Sequence, residues 1–335
     1  LDDATFKTIQ REARRFMGQE QIAGYRLLEQ LGEGAMGSVY KARQLSLDRD
    51  VAVKVLAADL VQDDAAVERF MVEARAVARL NHTNIISGID VGDAGGIKYL
   101  VMEYADGMTV DTLLKRGGAM DEERALMIAQ QMARALDHAH RNDLIHRDVK
   151  PANVILTKDG VAKLCDLGLA RLDAGPGEDT TRMGTAAYMS PEQARGAGRV
   201  DERTDVYSLG ATLYHMLTGR PPFEGADAQA VMMGHLAESP VPPNVVRPDV
   251  SPETSEFTLQ LLEKQPGDRV QTARELVDLC GARIRELQAA RGAMPGGSAG
   301  AVAARPTTPQ AAAPTKPATA TGGAPVVKRR RRRRR

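Results

Sequence analysis

Eight consecutive residues, His146-Arg147-Asp148-Val149-Lys150-Pro151-Ala152-Asn153, set a carboxylate, an amide and two cations between an apolar helix pattern and the apolar strand Val154-Ile155-Leu156. Moving a γ-phosphoryl group to an alcohol requires an oriented acceptor oxygen, cation neutralisation of the triphosphate, and positive charge near the transferring group. Asp148, Asn153 with Asp166, and Lys150 are of the types that supply these in turn. His146 alone reads as a packed structural histidine rather than a proton shuttle.

A second cluster lies upstream. Gly32-Glu33-Gly34-Ala35-Met36-Gly37 has the form G-x-G-x-x-G, shared by dinucleotide-binding folds and by phosphate-covering hairpins. Asp59, 22 residues after Gly37, even stands where a dinucleotide fold would place its ribose-binding acid. That fold needs a helix after the third glycine, but Ser38-Val39-Tyr40-Lys41-Ala42 alternates as a strand and leads to Val51-Ala52-Val53-Lys54. The glycines therefore sit in a hairpin. Lys54 lies inside an apolar strand, where an ammonium needs a partner or an anion. Glu73, on the helix that follows, is the candidate, against the plainer reading of a snorkelling lysine and a surface acid.

The elements that must position these groups follow from periodicity. Tyr25 to Leu31, Ser38 to Gln44 and Asp50 to Leu56 read as an antiparallel meander. Asp63 or Asp64 caps a helix with Val67, Phe70, Met71, Ala74 and Val77 on its apolar face. Strands near Ile85 to Val91 and Ile97 to Glu103 complete a β-rich region. The rest is mostly helical: a broad apolar stripe runs from Ala125 to Ala139, Ser251-Pro252 opens one later helix, and Thr272 with Glu275 forms a capping box opening the last, to about Gln288.

Composition bounds the class. The 335 residues carry 45 Lys and Arg against 44 Asp and Glu, but eight of the cations lie in Lys328 to Arg335, so the body is net negative and no specific nucleic-acid face is expected. Two cysteines make no disulfide framework, and the expected setting is cytoplasmic and reducing. Residues 1–24 read as a helical lead-in. Residues 288–335, rich in Ala, Pro and Thr and ending in arginines, read as a disordered tail.

Taken in order, Gly32 to Val39, Val51-Ala52-Val53-Lys54, Glu73, the octapeptide, Asp166-Leu167-Gly168, Ser190-Pro191-Glu192, Asp205-Val206-Tyr207-Ser208-Leu209-Gly210 and Arg269 resemble a bacterial, eukaryotic-like (Hanks-type) serine/threonine protein kinase. The resemblance spans Tyr25 to Leu287. It implies an α+β bilobal fold, with a small antiparallel-sheet lobe over residues 25–104 and a larger helical lobe over 105–287.

By that resemblance ATP would lie with its adenine between Val39 and Ala52 above and Ile155 below, Met102 behind it and the backbone of Glu103 to Ala105 at its edge. Leu31, Gly32, Gly34 and Gly37 would cover the nucleotide. Lys54, held by Glu73, would contact the α- and β-phosphates, while Asn153 and Asp166 would hold Mg²⁺. Asp148 would receive the acceptor hydroxyl of a protein serine or threonine. Lys150 with Gly184-Thr185 resembles the serine/threonine class, Glu192 would pair with Arg269, and Asp205 would anchor the catalytic loop. Leu167 and Ser190 depart from the usual Phe and Ala without removing a ligand, and Cys165 reads as a buried filler.

Arg147 before Asp148 is associated in this family with phosphorylation control. Thr180 and Thr181 are the expected autophosphorylation sites, with self-association as a route to them and Arg147 and Arg171 as the phosphate's partners. The terminal arginines are a solvated tail, a contact for anionic lipid, a loose nucleic-acid contact, or the flank of a membrane helix in a longer receptor-type kinase. A catalytically silent pseudokinase is the competing class, although Lys54, Glu73, Asp148, Lys150, Asn153 and Asp166 are all present.

Overall fold

The computed structural model describes residues 21–34, 36–166, 183–196 and 200–293. The lead-in before residue 21, the segment containing Leu167, Arg171, Thr180 and Thr181, and the chain beyond 293 lie outside the described residues.

The first lobe is a six-stranded antiparallel sheet built from β1 (Gln21–Ile22), β2 (Tyr25–Gly34), β3 (Gly37–Gln44), β4 (Arg49–Leu56), β5 (Gly88–Ala94) and β6 (Ile97–Glu103). Its strand order is β1-β2-β3-β4-β6-β5, and α1 (Asp64–Arg79) packs beside it. Residues 21–24 are thus not part of a helical lead-in. Gln21 pairs with Arg26 and Ile22 with Tyr25, because burying Ile22 and Tyr25 in one apolar cluster outweighs a weak helical pattern. The fourth expected strand begins at Gly88 rather than Ile85, which instead forms a parallel bridge to Leu164.

The central strand β4 decides where the lysine points. Successive strand residues face opposite sides. Val51 and Val53 pack with Ile22, Tyr25, Ala42, Tyr99 and Val101, while Ala52 and Leu56 face Phe70, Ala74, Leu100 and Met102. Lys54 shares the parity of Ala52 and Leu56, so it is turned toward α1. That helix starts at the Asp63 cap, whose side chain accepts the Ala65 N–H. Its far end, with Ala76 and Val77, and the following Leu80 join the core of the second lobe.

The second lobe contains β7 (Gly107–Thr109), α2 (Val110–Gly117), α3 (Glu122–His140), β8 (Val154–Thr157), β9 (Ala162–Leu164), the short turns α4 (Met183–Ala186) and α5 (Pro191–Ala194), then α6 (Arg203–Thr218), α7 (Ala228–Ala237), α8 (Pro243–Val246), α9 (Pro252–Leu261) and α10 (Ala273–Ala293). Strands β7, β8 and β9 form a small antiparallel sheet. Helix α6 is buried on nearly every side, and a Cβ on its Gly210 would lie 2.6 Å from that of Leu261, so glycine sets the approach of α9.

The last helix runs to Ala293, so residues 288–293 are helical rather than tail. Gln288 and Arg291 explain this: they bind Glu123 at 2.7 and 2.6 Å, and Arg291 also binds Asp121 at 3.1 Å, fastening the final turn to the start of α3.

Candidate active site

Lys54 Nζ lies 2.7 Å from Glu73 Oε1 and 3.1 Å from Asp166 Oδ1, joining β4, α1 and the second residue after β9. Lys54 and Glu73 are both buried. Burial opposes the Lys54 charge, but the Asp166 and Glu73 carboxylates more than offset it and hold the ammonium well above its usual range. Burial pushes the Glu73 carboxyl up against the pull of Lys54, whereas Lys54 holds Asp166 below the ordinary carboxylate range.

The catalytic loop is held from behind by Asp205, fully buried on α6. Its Oδ2 accepts the His146 N–H at 2.8 Å and lies 2.8 Å from His140 Nε2, and its Oδ1 accepts the Arg147 N–H at 2.7 Å. Arg147 has φ +65°, a left-handed conformation that costs a non-glycine residue free energy and persists only when surroundings impose it. Gln193 Nε2 completes the hold by donating to the Arg147 carbonyl at 3.0 Å. His146 is structural, as its residue type suggested. Nδ1 accepts the Asp148 N–H at 3.2 Å, so Nε2 carries the proton toward the Cys165 carbonyl, also at 3.2 Å. Burial pushes its pKa down, keeping it neutral.

Asp148 Oδ2 accepts Lys150 Nζ at 2.7 Å and Asn153 Nδ2 at 3.0 Å. Asn153 Nδ2 also donates to the Asp148 carbonyl at 2.8 Å, which fixes the amide's orientation. Lys150 Nζ reaches onward to Thr185 Oγ1 at 3.0 Å. The serine/threonine-class pair expected from the sequence therefore meets in space.

On the nucleotide side, Val39, Ala52, Met102, Ala105, Ile155 and Cys165 share one apolar cluster. Burial raises the Cys165 thiol well above its ordinary pKa, consistent with a filler. Leu31 stands apart, 46% exposed, where the β2–β3 register shifts between Gln30 and Gly32. Glu103 takes an ion pair from Lys163 at 2.8 Å, tying the end of β6 to β9. The hairpin glycines differ: a Cβ on Gly37, at φ +143°, would lie 1.8 Å from the Val55 carbonyl, while one on Gly32 would meet open space.

These residues fit a magnesium-bound triphosphate. One carboxylate and one amide oxygen suit a hard ion that takes its remaining ligands from phosphate and water, and Lys54 and Lys150 supply the balancing charge. Asn153 and Asp166 would hold the ion.

A further buried pair supports the segment after the cleft. Arg269 binds Glu192 in two parallel contacts, Nη1 to Oε1 at 2.8 Å and Nη2 to Oε2 at 2.7 Å, while Thr204 Oγ1 donates to Oε1 at 2.8 Å. Ser190, the departure from the usual Ala, caps α5: its side chain accepts the Gln193 N–H and Gln193 reaches back to the Ser190 N–H. Sequence reasoning missed His140, Lys163, Gln193 and Thr204. Of these only Gln193 carried a signal, as the third helical residue after a Ser-Pro start.

Comparison with known proteins agrees with this geometry. Residues 25–279 match the protein kinase domain family. The serine/threonine-protein kinase PknB of Mycolicibacterium smegmatis is 46% identical over 274 residues, covering 79% of this chain and 43% of that protein. PknB of Mycobacterium tuberculosis is 44% identical over 260 residues, covering 75% and 41%. The chain thus spans about two fifths of the length of these curated relatives. The crystal structure of the Mycobacterium tuberculosis PknI kinase domain matches with a TM-score of 0.62 at 31% identity, over 78% of this chain and 97% of that one. The chain belongs to the protein kinase family, in its bacterial serine/threonine branch.

Proposed function

We propose that this chain transfers the γ-phosphoryl group of ATP to serine and threonine hydroxyls of proteins. One observation carries the reading: a single carboxylate oxygen of Asp148 is shared by Lys150 and Asn153, and the same Lys150 reaches Thr185. This links an acceptor-orienting acid, a phosphate-facing cation and a metal-ligating amide within one loop. Asp148 orients the hydroxyl and takes its proton as the new oxygen–phosphorus bond forms and the bond to the departing diphosphate breaks. Lys150 balances charge on the group in transfer, and Lys54, steadied by Glu73, holds the neighbouring phosphates. Mg²⁺ when bound neutralises the phosphate oxygens.

The test is incorporation of labelled phosphate into the chain and into a generic basic protein, with parent and Asp148→Asn chains compared. Loss of about 10²- to 10⁴-fold in the variant is expected. An unchanged rate in Asp148→Asn would remove Asp148 from the chemistry, and a parent that binds ATP without transferring phosphate would favour the pseudokinase reading.

The same reading extends to regulation and place. Autophosphorylation at Thr180 and Thr181, carried out by a second copy, would set a phosphate beside Arg147 and Arg171. A Thr180→Ala, Thr181→Ala chain as active as the phosphorylated parent would refute it. We also place the domain in the cytoplasm, with Lys328 to Arg335 drawn to anionic lipid. No helix among the described residues is long and apolar enough to cross a membrane. Equal sedimentation of full and tail-less chains with anionic vesicles would eliminate the lipid contact.

A further inference from the structure

The Tyr188 hydroxyl and His215 Nδ1 share a hydrogen bond of 2.6 Å, with the two ring planes 10° from parallel. Tyr188 is buried just beyond α4, and His215 lies in the last turn of α6. With Lys150, Thr185, Ala187 and Phe223, Tyr188 lines a groove of about 680 Å³. The groove is therefore continuous with the residues that face the transferred group.

An unbroken set of hydrogen bonds leads from His215 to the acceptor-orienting acid. Beyond the Tyr188 hydroxyl, the Tyr188 N–H donates to the Thr185 carbonyl at 3.1 Å. Lys150 Nζ then donates to Thr185 Oγ1 at 3.0 Å and to Asp148 Oδ2 at 2.7 Å. Helix α6 also carries Asp205, which holds the main chain of His146 and Arg147. Asp205 and His215 lie near opposite ends of that helix, about 15 Å apart along its axis. One rigid element thus holds the catalytic loop at one end and the groove wall at the other. A buried hydroxyl without a partner is costly, so losing the Nδ1 contact would turn Tyr188 toward water and away from its place in the wall.

We infer that His215 is a positioning residue for acceptor binding: by holding the Tyr188 hydroxyl it keeps that ring in the wall of the groove beside Lys150, and so shapes the path by which a protein serine or threonine reaches Asp148. The inference rests on the kinase reading of the same site. The plain alternative is a packing pair that stabilises the lobe and leaves acceptor affinity untouched.

The test uses the full chain with histone as acceptor, comparing His215→Asn, His215→Leu and Tyr188→Phe. Asn can place an amide atom where Nδ1 stands, Leu has the same branching and no polar atom, and Phe removes only the hydroxyl. Leu and Phe are expected to raise KM for histone about 10-fold with KM for ATP within about twofold, and Asn to stay within about threefold of the parent. Stability should run the other way, because Leu is the better helix former, so a purely structural role would reverse the order of Asn and Leu. Combining Tyr188→Phe with His215→Leu should be no worse than either change alone, since both remove the same bond. A histone KM at the parent value in Tyr188→Phe, an Asn variant as impaired as Leu, or additive losses in the double variant would overturn the inference. Should His215→Leu fail to fold, Asn and Tyr188→Phe decide. Hydrogen exchange at the Tyr188 amide, faster in Leu and Phe than in the parent and Asn, reads the hold without any activity. A parent that phosphorylates nothing would defeat the kinase reading, whereas equal exchange in all variants would defeat this one.

Discussion

Asp205 and Arg147, 58 positions apart in the chain, meet at 2.7 Å, where the carboxylate accepts the main-chain N–H of a residue held at φ +65°. The buried acid imposes the left-handed turn immediately before Asp148, whose carboxylate meets Lys150 and Asn153. Asp205→Asn should cost about 2–4 kcal/mol of stability, because an amide cannot accept from His146, Arg147 and His140 together. The turnover number should fall at least about 100-fold while KM for ATP stays near the parent value, since the loop and not the nucleotide pocket is released. Denaturant titration and steady-state kinetics read the two effects, and an Asp205→Asn protein with parental turnover would show that the loop holds itself.

Two hairpin glycines should separate folding from binding. Gly37→Ala puts a methyl into the Val55 carbonyl and forces alanine to φ +143°, so it should destabilise the small lobe by about 2 kcal/mol or more. Gly32→Ala meets open space in the fold and should leave the melting temperature within about 2 °C. Its methyl would nonetheless enter the space read as the triphosphate's, raising KM for ATP. A Gly32→Ala chain that binds ATP like the parent would move the phosphates elsewhere.

The Glu192–Arg269 pair is buried, and removing one partner strands the other. Burial opposes the Glu192 charge, but the paired contacts from Arg269 win and hold the carboxyl below its ordinary range. Arg269→Met should cost about 3–5 kcal/mol, and Glu192→Leu combined with Arg269→Met should regain part of it. A double-mutant cycle by denaturation measures the coupling, and strict additivity of the two single changes would mean that the pair contributes nothing.

Acid should weaken the protein partly through His235. Its folded pKa of about 3 lies below the ordinary histidine value near 6.5, so the neutral ring's contribution is complete above pH 6.5 and is lost as pH falls toward 3. His146 and His215, also pushed down by burial, add the same sign. Those two cancel when the parent is compared with His235→Gln. The parent's advantage in unfolding free energy should shrink by about 1 kcal/mol per pH unit below pH 6. A difference that does not change between pH 7 and 5 would mean that His235 titrates normally.

The local signals in the sequence were sufficient for the elements nearest the chemistry. Alternation around Val51 to Leu56 places Lys54 on a strand, Asp63 and Ser251 mark helix starts where the structure has them, and Thr272 accepts the Glu275 N–H at 3.1 Å as one half of the expected capping box, while the Glu275 carboxylate accepts the Gln271 N–H at 3.0 Å instead of that of Thr272. The types and order of Lys54, Glu73, Asp148, Lys150, Asn153 and Asp166 carry the proposed chemistry, because phosphoryl transfer requires such groups and the chain keeps each residue type at its motif position. Tertiary structure decided what holds them. That Asp205 is shared by His140, His146 and Arg147, that Gln193 grips the Arg147 carbonyl, that Tyr207 faces His235, and that Glu123 extends the last helix to Ala293 all depend on partners brought together from distant stretches. Such contacts have no period along the chain. Their free energy arises only once packing has excluded water from both groups, so no stretch of sequence read alone carries them.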